Sequence, residues 1–155
     1  MEIIKRNVMN QRGLTLIELI IVLVIITIGA VLTTPNISGW LPNYRLRSAT
    51  RDVTSVMRVA QLKAVSNNTQ YQVVFNKGNG TYLLQYRDTG GNWIDEGAAQ
   101  TLPAGVNFFA ITLLGDTATF SPNSTATDGN ITLNNTKGAT KRVRLLGLTG
   151  RIKIE

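Results

Sequence analysis

Residues 14–34 read LTLIELIIVLVIITIGAVLTT, and this run decides the fold. A helix crossing the hydrocarbon core of a bilayer needs about 20 predominantly apolar residues. The run meets that length with a single charge, Glu18. Gly29 alone interrupts it, and Pro35 follows. Proline lacks an amide hydrogen and clashes with the preceding turn, so the helix is expected to end or kink there. A secretory signal would carry a shorter apolar core with a small-residue cleavage site behind it. No such site follows, so the run predicts a retained, single-pass membrane helix.

Two residues make the run more specific than a plain anchor. Gly13 sits at the border between a basic leader (Lys5, Arg6 and Arg12 against Glu2) and the apolar stretch. Glu18 sits one helical turn inside that stretch. A charge at the bilayer centre costs about 2.5–3.5 kcal/mol even on lenient insertion scales, so Glu18 needs a cationic mate. No basic residue follows it inside the run. Cleavage after Gly13 would create an α-ammonium on Leu14, poorly placed at a helix N-terminus against the macrodipole. A carboxylate four residues on, or on a neighbouring helix, would neutralise it.

Residues 9–26, MNQRGLTLIELIIVLVII, resemble the class III signal of type IV pilins and type II secretion pseudopilins. The resemblance implies cleavage after Gly13 by a prepilin peptidase and N-methylation of Leu14. It also implies that Glu18 is the carboxylate through which subunits dock during fibre assembly. Leu14 stands where the family usually has phenylalanine. The implied fold is α+β and type IV pilin-like. Its long N-terminal helix has a transmembrane half and an amphipathic half, packed on a C-terminal antiparallel β-sheet domain. The implied organisation is a leader over 1–13, a transmembrane helix over 14–34, a kink and amphipathic helix over 35–66, and a β-rich domain over 67–155.

The implied location is the bacterial inner membrane, with the leader cytoplasmic and the C-terminal domain periplasmic or extracellular. Charge alone leaves topology open, because Arg45, Arg47 and Arg51 lie within reach of the other end of the run. Long domains translocate largely regardless of charge. Implied partners are other pilin or pseudopilin subunits, the prepilin peptidase, the inner-membrane assembly platform and the membrane itself, through one helix.

The remaining sequence fits this outline. Pro35, Gly39 and Pro42 predict a break over Asn36–Asn43. From Tyr44 to Ser66, Leu46, Ala49, Val53, Val56, Ala60 and Ala64 recur at three- and four-residue steps, one apolar helical face. Arg45, Arg51, Arg58 and Lys63 fall mostly off it. After Asn67-Asn68 the pattern changes to strands. Residues 70–75 and 81–86 flank a tight turn at Asn79-Gly80. Asp88–Asn92 is a second turn, and Ser121–Gly129 is a loop. Further short strands are expected near 105–109, 117–120, 130–134, 142–146 and 151–154.

Composition removes most chemistry. The chain has no cysteine and no histidine, which excludes disulfides, thiolate or imidazole metal sites and Ser-His or Cys-His nucleophiles. Asp95-Glu96 is a paired carboxylate in a turn-rich segment, and Asp116 and Asp128 lack the spacing of a calcium loop. The sequence therefore predicts a non-enzymatic subunit with no cofactor and no metal.

The formal charge of +7 is unevenly placed, and the end of the chain is basic (Lys137, Lys141, Arg142, Arg144, Arg151 and Lys153). Phe120-Ser-Pro-Asn123, Gly129-Asn-Ile-Thr-Leu133 and Gly150-Arg-Ile-Lys153 resemble the F-x-P…G-x-I-x-L…G-R-x-R close of the GspH/FimT group. Asn123 stands where that group often has glycine. In FimT-type minor pilins a basic C-terminal motif is associated with DNA uptake. Arg142, Arg144, Arg151 and Lys153 are therefore candidate DNA-binding residues, and DNA is an alternative partner. The tail has no interleaved aromatics to stack bases. A merely solvated basic face is the competing account.

Overall fold

The computed structural model describes residues 15–33 and 37–155. The leader over 1–13, Leu14 and Pro35 lie outside the described residues. Thr15 opens the first helix, α1 (Leu16–Thr33). Its hydroxyl accepts the Glu18 amide N–H at 3.3 Å, and its carbonyl accepts the N–H groups of Glu18 and Leu19. This is a helix N-cap, with Glu18 in the first turn where the macrodipole favours an acid. Thr27 donates its hydroxyl to the carbonyls of Leu23 (3.0 Å) and Val24 (2.8 Å), so its polarity is satisfied within the helix.

The chain divides between Ile37 and Ser38 into two units. The second contains α2 (Ile37–Ser66) and nine strands. The expected break over Asn36–Asn43 is overridden: Gly39 and Pro42 lie inside α2. Pro42 removes only the helical bond to the Ser38 carbonyl, close to the helix start. Tertiary contacts hold these turns. Asn135 Nδ2 donates to Asn43 Oδ1 at 2.8 Å, and Lys137 Nζ donates to the Gly39 carbonyl at 3.2 Å. Within the helix itself, Trp40 stacks on Tyr44, four residues on, with ring centroids 4.9 Å apart. Such contacts outweigh a local propensity.

The buried face of α2 is Leu46, Ala49, Val53, Met57, Ala60 and Ala64. Met57 occupies the place expected of Val56, which is only partly buried. Thr50 and Thr54 are buried as well, each donating its hydroxyl to the carbonyl four residues back at 2.7 Å.

The strands are β1 (Tyr71–Asn76), β2 (Thr81–Arg87), β3 (Trp93–Asp95), β4 (Gln100–Thr101), β5 (Val106–Ile111), β6 (Thr117–Phe120), β7 (Gly129–Asn135), β8 (Thr140–Leu146) and β9 (Arg151–Ile154). They form two antiparallel sheets. One runs β3-β2-β1-β6 with β4 also against β2, and the other runs β5-β7-β8-β9. Gly80, with φ 65°, supplies the left-handed residue of the β1–β2 turn. Inward side chains of both sheets and the buried face of α2 form one core. Phe75 of the first sheet meets Phe108 of the second edge-on, centroids 5.6 Å apart.

The short strands β3 and β4 were not expected from the sequence. The β3 pairing is held by side chains in register. Gln72, Gln85 and Asp95 face one another across β1, β2 and β3 and are linked by hydrogen bonds of 2.6 and 2.7 Å. Arg87 lies over the ring of its partner Trp93, 5.9 Å from the centroid.

Candidate functional site: an apolar helix and a basic sheet face

Every described side chain of α1 from Leu16 to Ala30 is exposed, and the helix is apolar all round. A helix of that composition is stable in water only when something covers it. Among the described residues no helix is long and apolar enough to cross a membrane. The described part of α1 has 18 residues, about 27 Å against a hydrocarbon core of about 30 Å. Glu18 is exposed on this helix and makes no ion pair among the described residues. Gly13 and Leu14, the expected cleavage and methylation residues, lie outside the described residues. Thr15 is the N-cap of this helix, a structural role. The signal was present, since Thr15-Leu-Ile-Glu18 is a capping-box sequence.

The four candidate DNA-binding residues lie together on the second sheet. Arg142 and Arg144 are on β8, and Arg151 and Lys153 on β9. Arg144 pairs with Lys153 and Leu146 with Arg151. Arg142 exchanges both backbone hydrogen bonds with Glu155. Paired residues share a face and alternate residues repeat it, so all four cations project from the same, solvated face. None makes an ion pair among the described residues. Like charges directly opposed across strands are mildly destabilising. Lys141, grouped with these residues by sequence adjacency, has the opposite parity: it pairs with buried Leu133 and shares its side of β8 with buried Val143 and Leu145.

Glu96, Asp95 and Asp128 have structural tasks. Glu96 Oε1 accepts from Lys63 Nζ, an ion pair that ties the segment after β3 to α2. This hydrogen bond holds the Lys63 ammonium above its ordinary value of 10.5. Its contribution to stability is therefore complete below that pH and fades as pH rises through the raised value. Asp95 accepts from Gln85, and Asp128 Oδ1 accepts the Gly147 N–H at 3.1 Å.

The motif residues near the C-terminus separate into core and surface. Phe120, Ile131 and Leu133 are core. Gly150, in the β8–β9 turn, is buried with φ 60°, and a Cβ there would collide with the Ser124 carbonyl oxygen and the Gln61 amide. Gly150→Ala is expected to combine left-handed strain of about 1–2 kcal/mol with an overpacking cost of about 1–3 kcal/mol. Thermal unfolding followed by circular dichroism should show a clear fall in Tm. An unchanged Tm would mean the turn does not need glycine. Of Gly150–Lys153, Arg151 and Lys153 are the exposed residues.

This architecture, an apolar N-terminal helix followed by a helix and an antiparallel β domain, is that of pilin-like proteins. The family model for the prokaryotic N-terminal methylation motif matches residues 8–34, and that for type II transport protein GspH matches residues 49–149. The chain belongs to the GspH family. No curated protein matches it significantly. A structure of the minor pseudopilin EpsH from the type II secretion system of Vibrio cholerae superposes with TM-score 0.62 at 9% identity, over 72% of this chain and 96% of EpsH. The type IV minor pilin FimU of Pseudomonas aeruginosa superposes with TM-score 0.57 at 17% identity, over 73% of this chain and 90% of FimU. The expected α+β pilin-like fold is thus the observed one.

Proposed function

We propose that the chain is a minor pilin or pseudopilin, a structural subunit of a type IV pilus or type II secretion fibre. In this reading prepilin peptidase removes residues 1–13, Leu14 becomes the methylated N-terminus, and residues 14–34 hold the subunit in the inner membrane until assembly. The leader is cytoplasmic and the β domain lies on the far side. An inner-membrane platform then moves the subunit into a fibre, where helices of neighbouring subunits cover α1. The subunit performs no reaction of its own. The observation that carries this reading is α1 itself: apolar, exposed along its described length, and bearing in its first turn one carboxylate with no ion pair among the described residues. The chain should co-purify with sheared fibres of its host. Recovery from the membrane alone, under conditions in which fibres form, would overturn it.

A second reading gives the same subunit a ligand, duplex DNA bound during uptake. The shared face of Arg142, Arg144, Arg151 and Lys153 favours it, because unpaired cations on one face suit a phosphate backbone. Lys153 supplies charge without the bidentate fork of arginine. Full-length chain in neutral detergent should then shift labelled duplex DNA. With four phosphate contacts, log K should fall with log salt at a slope of about −3.6. Arg151→Ala with Lys153→Ala should abolish the shift. No shift at low salt removes this reading and leaves the first intact.

A further inference from the structure

Lys141 occupies a register position that the strand pattern assigns to an apolar residue. Its partner on β7 is Leu133, and its neighbours on that side of β8 are Val143 and Leu145, all buried. A charge that breaks the alternation without a compensating partner marks a site worth explaining by function. Lys141 has no ion pair among the described residues. With Arg47, Arg51, Thr50 and Ile154 it lines a hollow of about 320 Å³ between α2 and the β8–β9 hairpin.

Arg47 and Arg51 are one helical turn apart and so adjacent on the surface of α2. Neither is in an ion pair among the described residues. Asp52 lines the adjoining hollow with both arginines, beyond ion-pair distance. Thr50, buried, commits its hydroxyl proton to the Leu46 carbonyl. The hollow therefore presents three cations and no paired carboxylate, and its volume reaches the range of small-ligand sites, about 300–1,000 Å³.

We propose that this hollow binds a phosphate group. The guanidinium forks of Arg47 and Arg51 match phosphate oxygens bidentately, and Lys141 adds a point charge from the opposite wall. A single carboxylate would leave most of the charge uncompensated. The phosphate can come from an anionic phospholipid headgroup or from free phosphate. The lipid source rests on the membrane reading above: Arg47 is ten residues past Ile37, about 15 Å along a helix. The phosphate chemistry does not depend on that reading.

Two arms separate the sources. Full-length chain in neutral detergent is titrated with inorganic phosphate at low ionic strength, following arginine Nε–Hε resonances. The same chain in phosphatidylcholine nanodiscs, with and without phosphatidylglycerol, is analysed for retained lipid by native mass spectrometry. Saturable shifts of two arginine resonances identify a free-phosphate site. Enrichment of phosphatidylglycerol without such shifts identifies a headgroup site. Either response should weaken about tenfold in Arg47→Gln or Arg51→Gln, the loss of one charge-assisted hydrogen bond. Lys141→Met, which suits the apolar register and should fold at least as well, should weaken it too. Lys77→Gln, an exposed cation in the β1–β2 turn away from the hollow, should leave it unchanged. No response in either arm, an equal response to acetate, or equal loss in the Lys77 control would overturn the proposal. Those outcomes would leave fibre co-purification, and the function it tests, untouched.

Discussion

Phe120→Ala is expected to destabilise the folded unit by about 3–5 kcal/mol, lowering Tm by about 10–20 °C. Phe120 is fully buried. It closes β6 opposite Tyr71 of β1, and its backbone also bridges to Ala126, so three segments meet around one ring. Deleting the ring removes its transfer free energy and leaves a cavity. The surrounding sheets are tied by ladder hydrogen bonds and can collapse only partly into it. Phe109 is the internal control. It is 59% exposed, beside the bulge in β5, and its replacement by alanine should stay within about 0.5 kcal/mol. Thermal denaturation of both variants separates the cases. Equal losses would mean that the core is not centred where the structure puts it.

Glu18→Leu is expected to preserve the fold and membrane insertion while removing the subunit from fibres. The folded unit begins beyond α1, so its Tm should not change. Thr15 caps α1 with its own oxygen atoms through backbone N–H groups, and leucine is at least as good a helix former as glutamate. Loss of a charge from an apolar run makes insertion easier. Assembly differs, because in the proposed fibre Glu18 neutralises the α-ammonium of a Leu14. Removing one partner of a buried pair costs about 3–5 kcal/mol, which corresponds to more than a hundredfold less incorporation at equilibrium. Fibre recovery should collapse while membrane-fraction abundance holds. Incorporation equal to the parent would refute a docking role for Glu18.

Much of this architecture was legible in the residues, because the strongest signals are periodic. The apolar steps of α2 gave its buried face, and the ends of β6 and β9 match the expected strands to the residue. The errors have physical causes. Pro42 and Gly39 break helices by local propensity, but Asn135 on Asn43 and Lys137 on the Gly39 carbonyl supply tertiary contacts that propensity cannot anticipate. Val56 and Met57 are neighbours on a helix of 3.6 residues per turn, and only packing decides which is fully buried. β3 is three residues long and exists through cross-strand partners distant in sequence. By composition the basic tail is a single patch. Strand alternation divides it into an outer face and, at Lys141, an inward-facing cation, a distinction that needs the register.

Processing is checked by the mass of the mature N-terminus of the chain isolated from fibres or membranes of its own host. The expected species is a polypeptide beginning at Leu14 with a single methyl group on its α-nitrogen. Fibre-borne chain that still carries residues 1–13 would contradict it, since Glu18 would then have no newly made ammonium to meet.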